Sequence, residues 1–323
     1  MTSSFQSSTL QAQGAALPMH FPAEFEACIA ALWVFPVKSC AGISVPHAVL
    51  TPTGLAHDRG WMVVDADGDM VTQRELPRMA LIQPELVYSG ATVCELVLHA
   101  PGMTALHLSL TVEGGASIAL ANTSTTSKAQ AIQVRVWDDQ VPAFDMGPPV
   151  SAWLNEFLGS SLGTLRLVRF DENHQRSSSA KWTQGLPSLN QFSDGFPVLL
   201  ASTASLDELN ARLQAKGEMA VDMRRFRANV VLGGVMAHDE DRIGTMTIDA
   251  VQLHPVKPCP RCPIPNIDPD SAQPHPAVSD TLQLYRQDAR VNGAVTFGMN
   301  CIPLTGVGQM LHVGQRVSAD WVF

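Results

Sequence analysis

The stretch HPVKPCPRCPIPNID, residues 254–268, places Cys259 and Cys262 two residues apart among several prolines. A cysteine pair with this spacing can supply half of a structural zinc site or form a thioredoxin-like redox pair. It can also mount a single thiolate that binds a metal centre from a rigid loop. Each interpretation requires different partners from the rest of the chain.

A structural zinc site needs four nitrogen or sulfur ligands, which usually come as two short pairs. The chain has no second C-x-x-C, and the other candidate ligands, His254, His275 and Cys301, form no matching pair. A redox pair usually lies where a strand meets a helix, whereas the segment after Cys262 has no helical period. Both alternatives stay open, but their partners are not evident in the sequence.

Under the third interpretation, one soft thiolate binds a soft or high-valent metal, and Arg261 helps to keep the sulfur of Cys262 ionised. This interpretation requires a cofactor, and three segments carry residues suited to an anion. They are PVKSC with Lys38 and Ser39, HDRGW with Arg59, and RRFRANVV with Arg224, Arg225, Arg227 and Asn229. Each segment taken alone is more typical of solvated charge.

The elements that must position these residues are mostly strands. Between residues 29 and 141 the sequence consists of short β-rich runs separated by Gly, Asp, Asn and Pro. The segment VVDADGDMVTQ, residues 63–73, predicts a hairpin with an Asp-Gly turn. More strands are predicted toward the carboxyl terminus, which indicates a mainly β protein with some helices (α+β) and two β-rich units.

Two helices are predicted after residue 145, in the second β-rich unit. PPVSAWLNEFLG, residues 148–159, has proline in its first turn, an apolar face and a closing glycine. STASLDELNARLQAKG, residues 202–217, begins a helix for which we predict a capping box of Ser205 and Glu208.

Composition restricts the class of protein. The 323 residues are 46% hydrophobic and 16% charged, which is typical of a folded globular chain. The net charge of −9 argues against nucleic acid as a partner. Residues 1–26 are predicted to form a disordered tail that lacks a targeting pattern, and the apolar run at 27–37 is too short to span a bilayer. We therefore expect a cytoplasmic protein without a membrane segment, whose six cysteines are mostly reduced.

Four motifs occur in a specific order. They are FPVKSCAGISVPHAVLTPTGLAHDRGWMVVDADGDMVTQRELPRMALI, FSDGFPVLLASTASLDELNARL, RRFRANVVLGG and VKPCPRCPIPNIDPDSA. In this order and approximate spacing, they resemble the MOSC-domain proteins. The nearer resemblance is to the branch with an N-terminal MOSC β-barrel domain, which includes the mitochondrial amidoxime reducing component and its bacterial relatives. The resemblance covers nearly the whole chain after residue 28.

The resemblance implies two β-barrel-like domains, here an N-terminal MOSC β-barrel domain at 27–145 and a MOSC domain at 146–323. The molybdenum cofactor, a Mo-pyranopterin, would lie between them. Cys262 inherits the role of metal ligand, and Asp194 matches an acidic position in the pocket, so both are assigned as catalytic. The implied cofactor-binding residues are Lys38, Ser39, Arg59, Arg227, Asn229 and Arg261.

The chain departs from the family around the cysteine pair. Pro260 replaces the family's serine, and PIPN, residues 263–266, replaces an apolar-Thr-Thr-Val run. These residues should face the substrate. The departure therefore affects the predicted substrate more than the predicted cofactor.

The resemblance implies a molybdenum-dependent reductase that removes oxygen from small N-hydroxylated compounds. With no cysteine cluster near the C-terminus for an iron–sulfur centre, electrons would come from a separate donor protein. One alternative is a non-catalytic carrier of the cofactor or of sulfur, and a lower-ranked one is a structural zinc protein. Pyridoxal phosphate binding is also associated with such domains, but nothing in this sequence marks a Schiff-base lysine.

Overall fold

The computed structural model describes residues 27–90, 92–110, 117–120, 126–128, 130–159 and 162–322. The predicted disordered tail, residues 1–26, lies outside the described residues. Strands predominate and helices are few, so the predicted mainly β fold class is confirmed. Within the described ranges, no helix is both long enough and apolar enough to cross a membrane.

The first half of the chain contains twelve strands. They are β1 (Ala27–Val34), β2 (Ile43–Val45), β3 (His47–Thr51), β4 (Gly54–Leu55), β5 (Trp61–Val64), β6 (Gln83–Ser89), β7 (Thr92–His99), β8 (Leu106–Ser109), β9 (Ser117–Leu120), β10 (Thr126–Lys128), β11 (Gln130–Val136) and β12 (Asp139–Asp145).

The chain after residue 145 contains the remaining strands and the α-helices of the described residues. The strands are β13 (Arg166–Phe170), β14 (Arg176–Ser177), β15 (Leu189–Asn190), β16 (Val198–Ser202), β17 (Val230–Gly233), β18 (Ile243–Ile248), β19 (Val251–Pro260), β20 (Gln287–Asp288), β21 (Ala294–Thr305), β22 (Met310–His312) and β23 (Arg316–Trp321). The helices are α1 (Pro148–Leu158), α2 (Ala180–Thr183), α3 (Thr203–Gln214) and α4 (Ala277–Leu282). Short 3-10 turns span Pro77–Leu81, Met223–Phe226, Asp239–Arg242, Ile264–Asn266 and Ala289–Val291.

A closed barrel organises the second half of the molecule. Its strands follow the order β16, β17, β1, β23, β18, β19 and β21, and the pairing of β21 with β16 closes the ring. Closure satisfies the backbone donors and acceptors that an open sheet would leave at its edges. Buried apolar residues such as Ile29, Leu32 and Leu253 fill the interior.

The first half forms two further sheets around a separate core. One has the order β10, β9, β8, β7, β6, and the other has the order β11, β12, β13, β5. Their core includes Val63, Leu96 and Leu108, together with Trp153 and Leu154 of α1. The segment at 63–73 forms the predicted hairpin.

Two strands pair with strands from the other predicted domain. β1 comes from the start of the chain, yet it pairs with β17 and β23 in the barrel. β13 follows residue 146, yet it pairs with β12 and β5. The predicted domain boundary at 145/146 therefore does not separate the sheets, and the domain limits stay predictions.

The predicted helices 148–159 and 202–217 are both present, but the predicted capping box is wrong. The N-cap of α3 is Ser202, whose hydroxyl accepts a hydrogen bond from the Ser205 amide at 3.1 Å. The Ser205 hydroxyl instead donates to the buried carboxylate of Glu240 at 2.6 Å. Glu208 faces outward and pairs with Arg212, so it is not available to cap the helix.

Candidate functional site

One cavity of about 760 Å³ collects the residues that the sequence singled out. They come from distant segments of the chain, from the loop after β1 to the end of β19. The predicted site residues that line it are Lys38, Ser39, Arg59, Asp194, Arg227, Asn229, Arg261 and Cys262. The structure therefore brings all of them together, whereas Arg224 and Arg225 do not line the cavity.

The cavity is strongly basic, although the chain as a whole is acidic. Its seven cationic side chains outnumber its three carboxylates, while the net charge of the protein is −9. The cations are Lys38, Arg59, Arg74, Arg176, Arg227, Lys257 and Arg261, and the carboxylates are Asp138, Asp139 and Asp194. Such concentrated positive charge between protein walls attracts an anionic ligand.

Three of the predicted site residues that line the cavity have left-handed backbone conformations, which residues other than glycine rarely adopt. The φ angles are +64° for Ser39, +50° for Arg59 and +58° for Arg227. Each such residue costs of order 1 kcal/mol or more, and such conformations cluster at ligand-binding sites. Surrounding bonds hold them in place: the Ser39 carbonyl, for example, accepts from the Gln73 side chain at 2.7 Å.

Asn229 is the buried centre of a hydrogen-bond network behind the cavity. Its amide nitrogen donates to Asp58 Oδ1 at 3.0 Å and to the Trp33 carbonyl at 3.1 Å. Its amide oxygen accepts from the Leu199 amide at 3.1 Å and from Arg59 Nη1 at 3.0 Å. Because every polar atom of the side chain is engaged, Asn229 positions Arg59 and joins β1, β16 and β17.

Two guanidinium groups share one aromatic ring. The guanidinium carbons of Arg59 and Arg227 lie 4.7 and 4.3 Å from the centroid of Phe35. A Cβ on Gly42 would lie 2.4 Å from the Phe35 ring, so glycine is required for this ring to occupy its place. Arg227 Nη1 donates to the Cys40 carbonyl at 2.5 Å.

Arg227 nevertheless remains incompletely satisfied, because its buried Nη2 has no hydrogen-bond partner among the described residues. Burial, reinforced by the neighbouring Arg59, lowers the pKa of Arg227 to about 9. The side chain is still protonated at neutral pH. It is therefore a partly buried cation, beside an anion-attracting cavity, whose buried Nη2 has no hydrogen-bond partner among the described residues.

Lys38 forms the opposite part of the cationic wall. The residue is 6% exposed, and its ammonium donates to the Phe192 carbonyl at 2.8 Å and to Asp194 Oδ1 at 2.5 Å. Burial lowers the pKa of Lys38, and Asp194 opposes that effect. An ammonium has three donors, so one remains for a ligand.

Asp194 faces the cavity, where its side chain is 72% exposed. Desolvation tends to raise the pKa of this carboxyl, but the adjacent Lys38 ammonium outweighs it and holds the pKa well below the ordinary range. The carboxylate also accepts from Trp137 Nε1 at 3.3 Å. Asp194 is thus an anion and hydrogen-bond acceptor at neutral pH.

The two cysteines lie at the end of β19 and have different neighbours. Arg261 Nη1 donates to Cys259 Sγ at 3.1 Å, and Nη2 donates to the Phe226 carbonyl at 3.1 Å. The hydrogen bonds of the Arg261 guanidinium thus go to Cys259 and Phe226, and its effect on the adjacent sulfur of Cys262 stays a prediction. In extended backbone, residues two apart point to the same side, which brings Arg261 to Cys259 rather than to Cys262. Arg261 Nε is buried without a partner among the described residues.

Two arginines hold the loop after Cys262 through hydrogen bonds and ion pairs. Arg225 donates to Asp268 Oδ2 at 2.8 Å and to the Pro265 carbonyl at 3.2 Å. Arg224 binds both Asp222 and Asp270. These two arginines hold the loop in place, while Arg227 from the same segment turns into the cavity.

The alternatives for the cysteine pair lack the structure that each one needs. Cys262 is followed by a three-residue 3-10 turn, Ile264–Asn266, rather than by the α-helix of a thioredoxin-like pair. No three His, Cys, Asp or Glu side chains converge as metal ligands within the described ranges. Cys301 is buried in the barrel core, and His275 lies near Glu218.

Comparisons with known proteins identify the family of this chain. The family model described as the MOSC N-terminal beta barrel domain matches residues 26–161, and the MOSC domain model matches residues 187–318. Mitochondrial amidoxime reducing component 2 from Homo sapiens is 33% identical over 272 residues, which cover 80% of this chain and 72% of that protein. This chain belongs to the MOSC-domain family of the amidoxime reducing components.

Two further human relatives show the range of this family. Mitochondrial amidoxime-reducing component 1 is 34% identical over 267 residues, covering 80% of this MOSC protein and 72% of the relative. Molybdenum cofactor sulfurase is 28% identical over 280 residues, covering 83% of this chain but only 29% of the much longer relative.

Sequence reasoning missed Trp137, which lines the cavity of this MOSC protein. With Asp138 it forms the two-residue turn between β11 and β12, and its φ is +56°. Such turns favour Asn or Gly, so a tryptophan here is unusual. The guanidinium of Arg74 lies 4.7 Å from its ring centroid. The sequence did offer one signal of a functional role for Trp137: it is a large side chain at a turn position that favours small residues.

Arg176 was also missed, and no sequence signal marks it. The residue is 6% exposed, and its Nε binds Asp139 at 2.8 Å. Its Nη1 donates to Asn190 Oδ1 and to the Gln191 and Ser193 carbonyls at 2.6–2.8 Å. Arg176 thereby ties β12 to the segment that carries Asp194.

The residues present fit an anionic cofactor that also requires one soft ligand. Arg227 and Arg261 each have a buried N–H without a partner among the described residues, and Lys38 has a spare donor. Cys262 adds a half-buried thiol to the same cavity. Phosphate and pterin oxygens satisfy such donors, and a thiolate is suited to molybdenum.

Proposed function

We propose that this MOSC protein binds a molybdenum–pterin cofactor in the cavity and reduces N-hydroxylated compounds, of the amidoxime or N-hydroxylated base type. One observation supports the proposal most strongly. The residues that match the family's cofactor positions converge on one basic cavity of an acidic protein, and guanidinium donors there lack partners within the described residues.

Each side chain then has a distinct task. Lys38, Arg59 and Arg227 would hold the terminal phosphate through charge-assisted hydrogen bonds, each contributing roughly 1.5–3 kcal/mol. Cys262 would be the protein's ligand to the metal. The bound molybdenum supplies the two-electron redox chemistry that removes oxygen from the substrate.

Asp194 contributes a fixed negative charge. Because its pKa is held low by Lys38, it is a poor proton donor at neutral pH. Its exposure to the cavity allows it to accept a hydrogen bond from the N–OH or amidine N–H of a substrate. We assign it to substrate orientation and to the positioning of Lys38.

Arg261 acts on the cysteine loop. Its guanidinium bridges Cys259 Sγ and the Phe226 carbonyl and thereby fixes the end of β19, from which Cys262 extends. We propose that this bridge orients Cys262. A separate protein would supply the electrons, and a cytoplasmic location stays a prediction.

A non-catalytic carrier of the cofactor or of sulfur is the second candidate. It is favoured by Pro260, which replaces the family's serine, and by the PIPN segment, residues 263–266, which replaces the family's apolar-Thr-Thr-Val run beside the cysteine. These changes leave the basic wall intact. Cofactor binding and turnover therefore need separate measurements.

The decisive experiment measures molybdenum and pterin in protein purified from a host that synthesises the cofactor. We expect close to one of each per chain, and reduction of benzamidoxime with an artificial electron donor. Lys38→Met should lose the pterin, whereas the control Lys216→Met should retain it, because Lys216 binds Thr281 outside the cavity. Cofactor without turnover would favour the carrier, and absence of both metal and pterin would refute the proposal.

A further inference from the structure

An exposed sheet on the side of the barrel carries two histidines directly opposite each other. β22 pairs with β3 in antiparallel register, and His312 is the partner of His47. Neither histidine lines the cavity, and both side chains are exposed. The cofactor site therefore does not use this pair.

The register places the two side chains at the closer kind of cross-strand position. The Val313 amide donates to the Pro46 carbonyl at 3.0 Å, and the Leu50 amide donates to the Gln309 carbonyl at 2.9 Å. Hydrogen-bonded pairs alternate along an antiparallel ladder, so the pair between His47 and His312 is not hydrogen-bonded. Side chains at such positions approach each other most closely.

The observed ring geometry is close to that of a chelate. The imidazole centroids are 5.7 Å apart, and the ring planes are inclined by 46°. With metal–nitrogen bonds of about 2.0–2.1 Å, two imidazoles on one ion have centroids roughly 5 Å apart. Small rotations about the side-chain bonds of two exposed residues would close the difference.

A soft third ligand lies on the same face. Ala48 and Leu311 point into the core, so the alternate residues Val49 and Met310 share the outer face with the histidines. Met310 is diagonal to His47, within reach of its long side chain, and is 43% exposed. Its thioether is a ligand that favours copper over harder ions.

We propose that His47, His312 and Met310 form a surface copper site. In the described part of the chain, no hydrogen bond or ion pair engages either imidazole ring, so the ring nitrogens are available. Among divalent ions, Cu²⁺ binds imidazole most strongly, and the thioether adds affinity for Cu⁺. The proposal is independent of the function of the cavity.

The test titrates the untagged full-length protein with CuCl₂ and follows binding by calorimetry and electron paramagnetic resonance. We expect one Cu²⁺ whose spectrum shows two imidazole nitrogens. His47→Ala or His312→Ala should weaken binding at least about tenfold, because the second imidazole of a chelate binds intramolecularly. The cavity thiols are the same in every variant, so the difference isolates this site.

His99→Ala is the matched control, because His99 is also an exposed strand histidine but pairs with Glu85. It should leave copper affinity unchanged. Met310→Leu should weaken Cu⁺ binding more than Cu²⁺ binding. Unchanged affinity in the His47→Ala, His312→Ala double variant, or an equal loss in His99→Ala, would overturn the proposal.

Discussion

Replacing Arg227 by methionine should stabilise the cofactor-free protein and weaken cofactor binding. Burial and the neighbouring Arg59 lower the pKa of Arg227 from 12.5 to about 9, which corresponds to a cost of about 5 kcal/mol for keeping the side chain charged in the fold. The hydrogen bond to the Cys40 carbonyl and the contact with Phe35 offset roughly 3 kcal/mol of this cost. Arg227→Met should therefore raise the free energy of unfolding by about 2 kcal/mol.

The pH dependence gives a second signature of the same cause. A base whose pKa is lower in the folded state destabilises the fold while it is protonated, so the cost is fully present below pH 9. The cost is relieved as the pH rises from 9 toward 12.5. The stability difference between Arg227→Met and wild type should accordingly shrink above pH 9.

Urea unfolding of the two cofactor-free proteins at pH 7 and pH 10 measures this difference. Arg225→Met is the control, because Arg225 lies in the same segment but is paired with Asp268 and the Pro265 carbonyl. It should destabilise the protein. Pterin occupancy of Arg227→Met should fall at least about tenfold at limiting cofactor supply. A destabilised Arg227→Met, or one with full occupancy, would refute the reasoning.

Three further predictions concern single side chains. Cys262→Ser should retain pterin and lose reduction per bound molybdenum. Cys259→Ser should stay within about tenfold of wild type, because Cys259 accepts the hydrogen bond of Arg261 and is not the predicted metal ligand. Assays of both variants side by side would contradict this prediction if the losses were equal. Asn229→Ala should lower the free energy of unfolding by about 3 kcal/mol, because it leaves buried partners unsatisfied, and an unchanged urea midpoint would contradict it. Burial raises the pKa of Glu240, so the charged carboxylate destabilises the fold as the pH rises above 4.5. Glu240→Gln should therefore be more stable than wild type at pH 7. Thermal melts should show that this difference in stability shrinks toward pH 4.

The sequence predicted which residues share the cavity better than it predicted their contacts. Lys38, Arg59 and Arg227 lie in ordered motifs at strand ends, and such positions converge when a barrel closes. Proximity in sequence did not reveal the hydrogen bond from Arg261 to Cys259, which forms because the extended backbone turns the Arg261 side chain toward that sulfur. The capping box failed for a similar reason: the buried Glu240 competes for the Ser205 hydroxyl, and no local pattern reports on that competitor.

The domain limits and part of the cavity wall could not be predicted, because they depend on pairing between strands that are distant in the sequence. β1 joins β17, about two hundred residues later in the chain, and hydrophobic alternation alone does not specify such a partner. Arg176 comes from an irregular polar segment, and only its tertiary contacts distinguish it from a surface arginine. Both features depend on register between distant strands.

The pairing of β1 within the barrel explains how positively charged side chains come to line the cavity. β1 is fixed in the barrel by pairing on both sides, and the chain then leaves it through Phe35 toward Lys38. Phe35 is thereby held at the point where Arg59 and Arg227 meet. An aromatic ring tolerates two guanidinium groups but cannot neutralise them. The closed barrel thus holds two cations beside the cavity, and Nη2 of Arg227 has no hydrogen-bond partner among the described residues. Under the proposed function, the anionic cofactor would supply that partner and offset part of the cost of burying the charge.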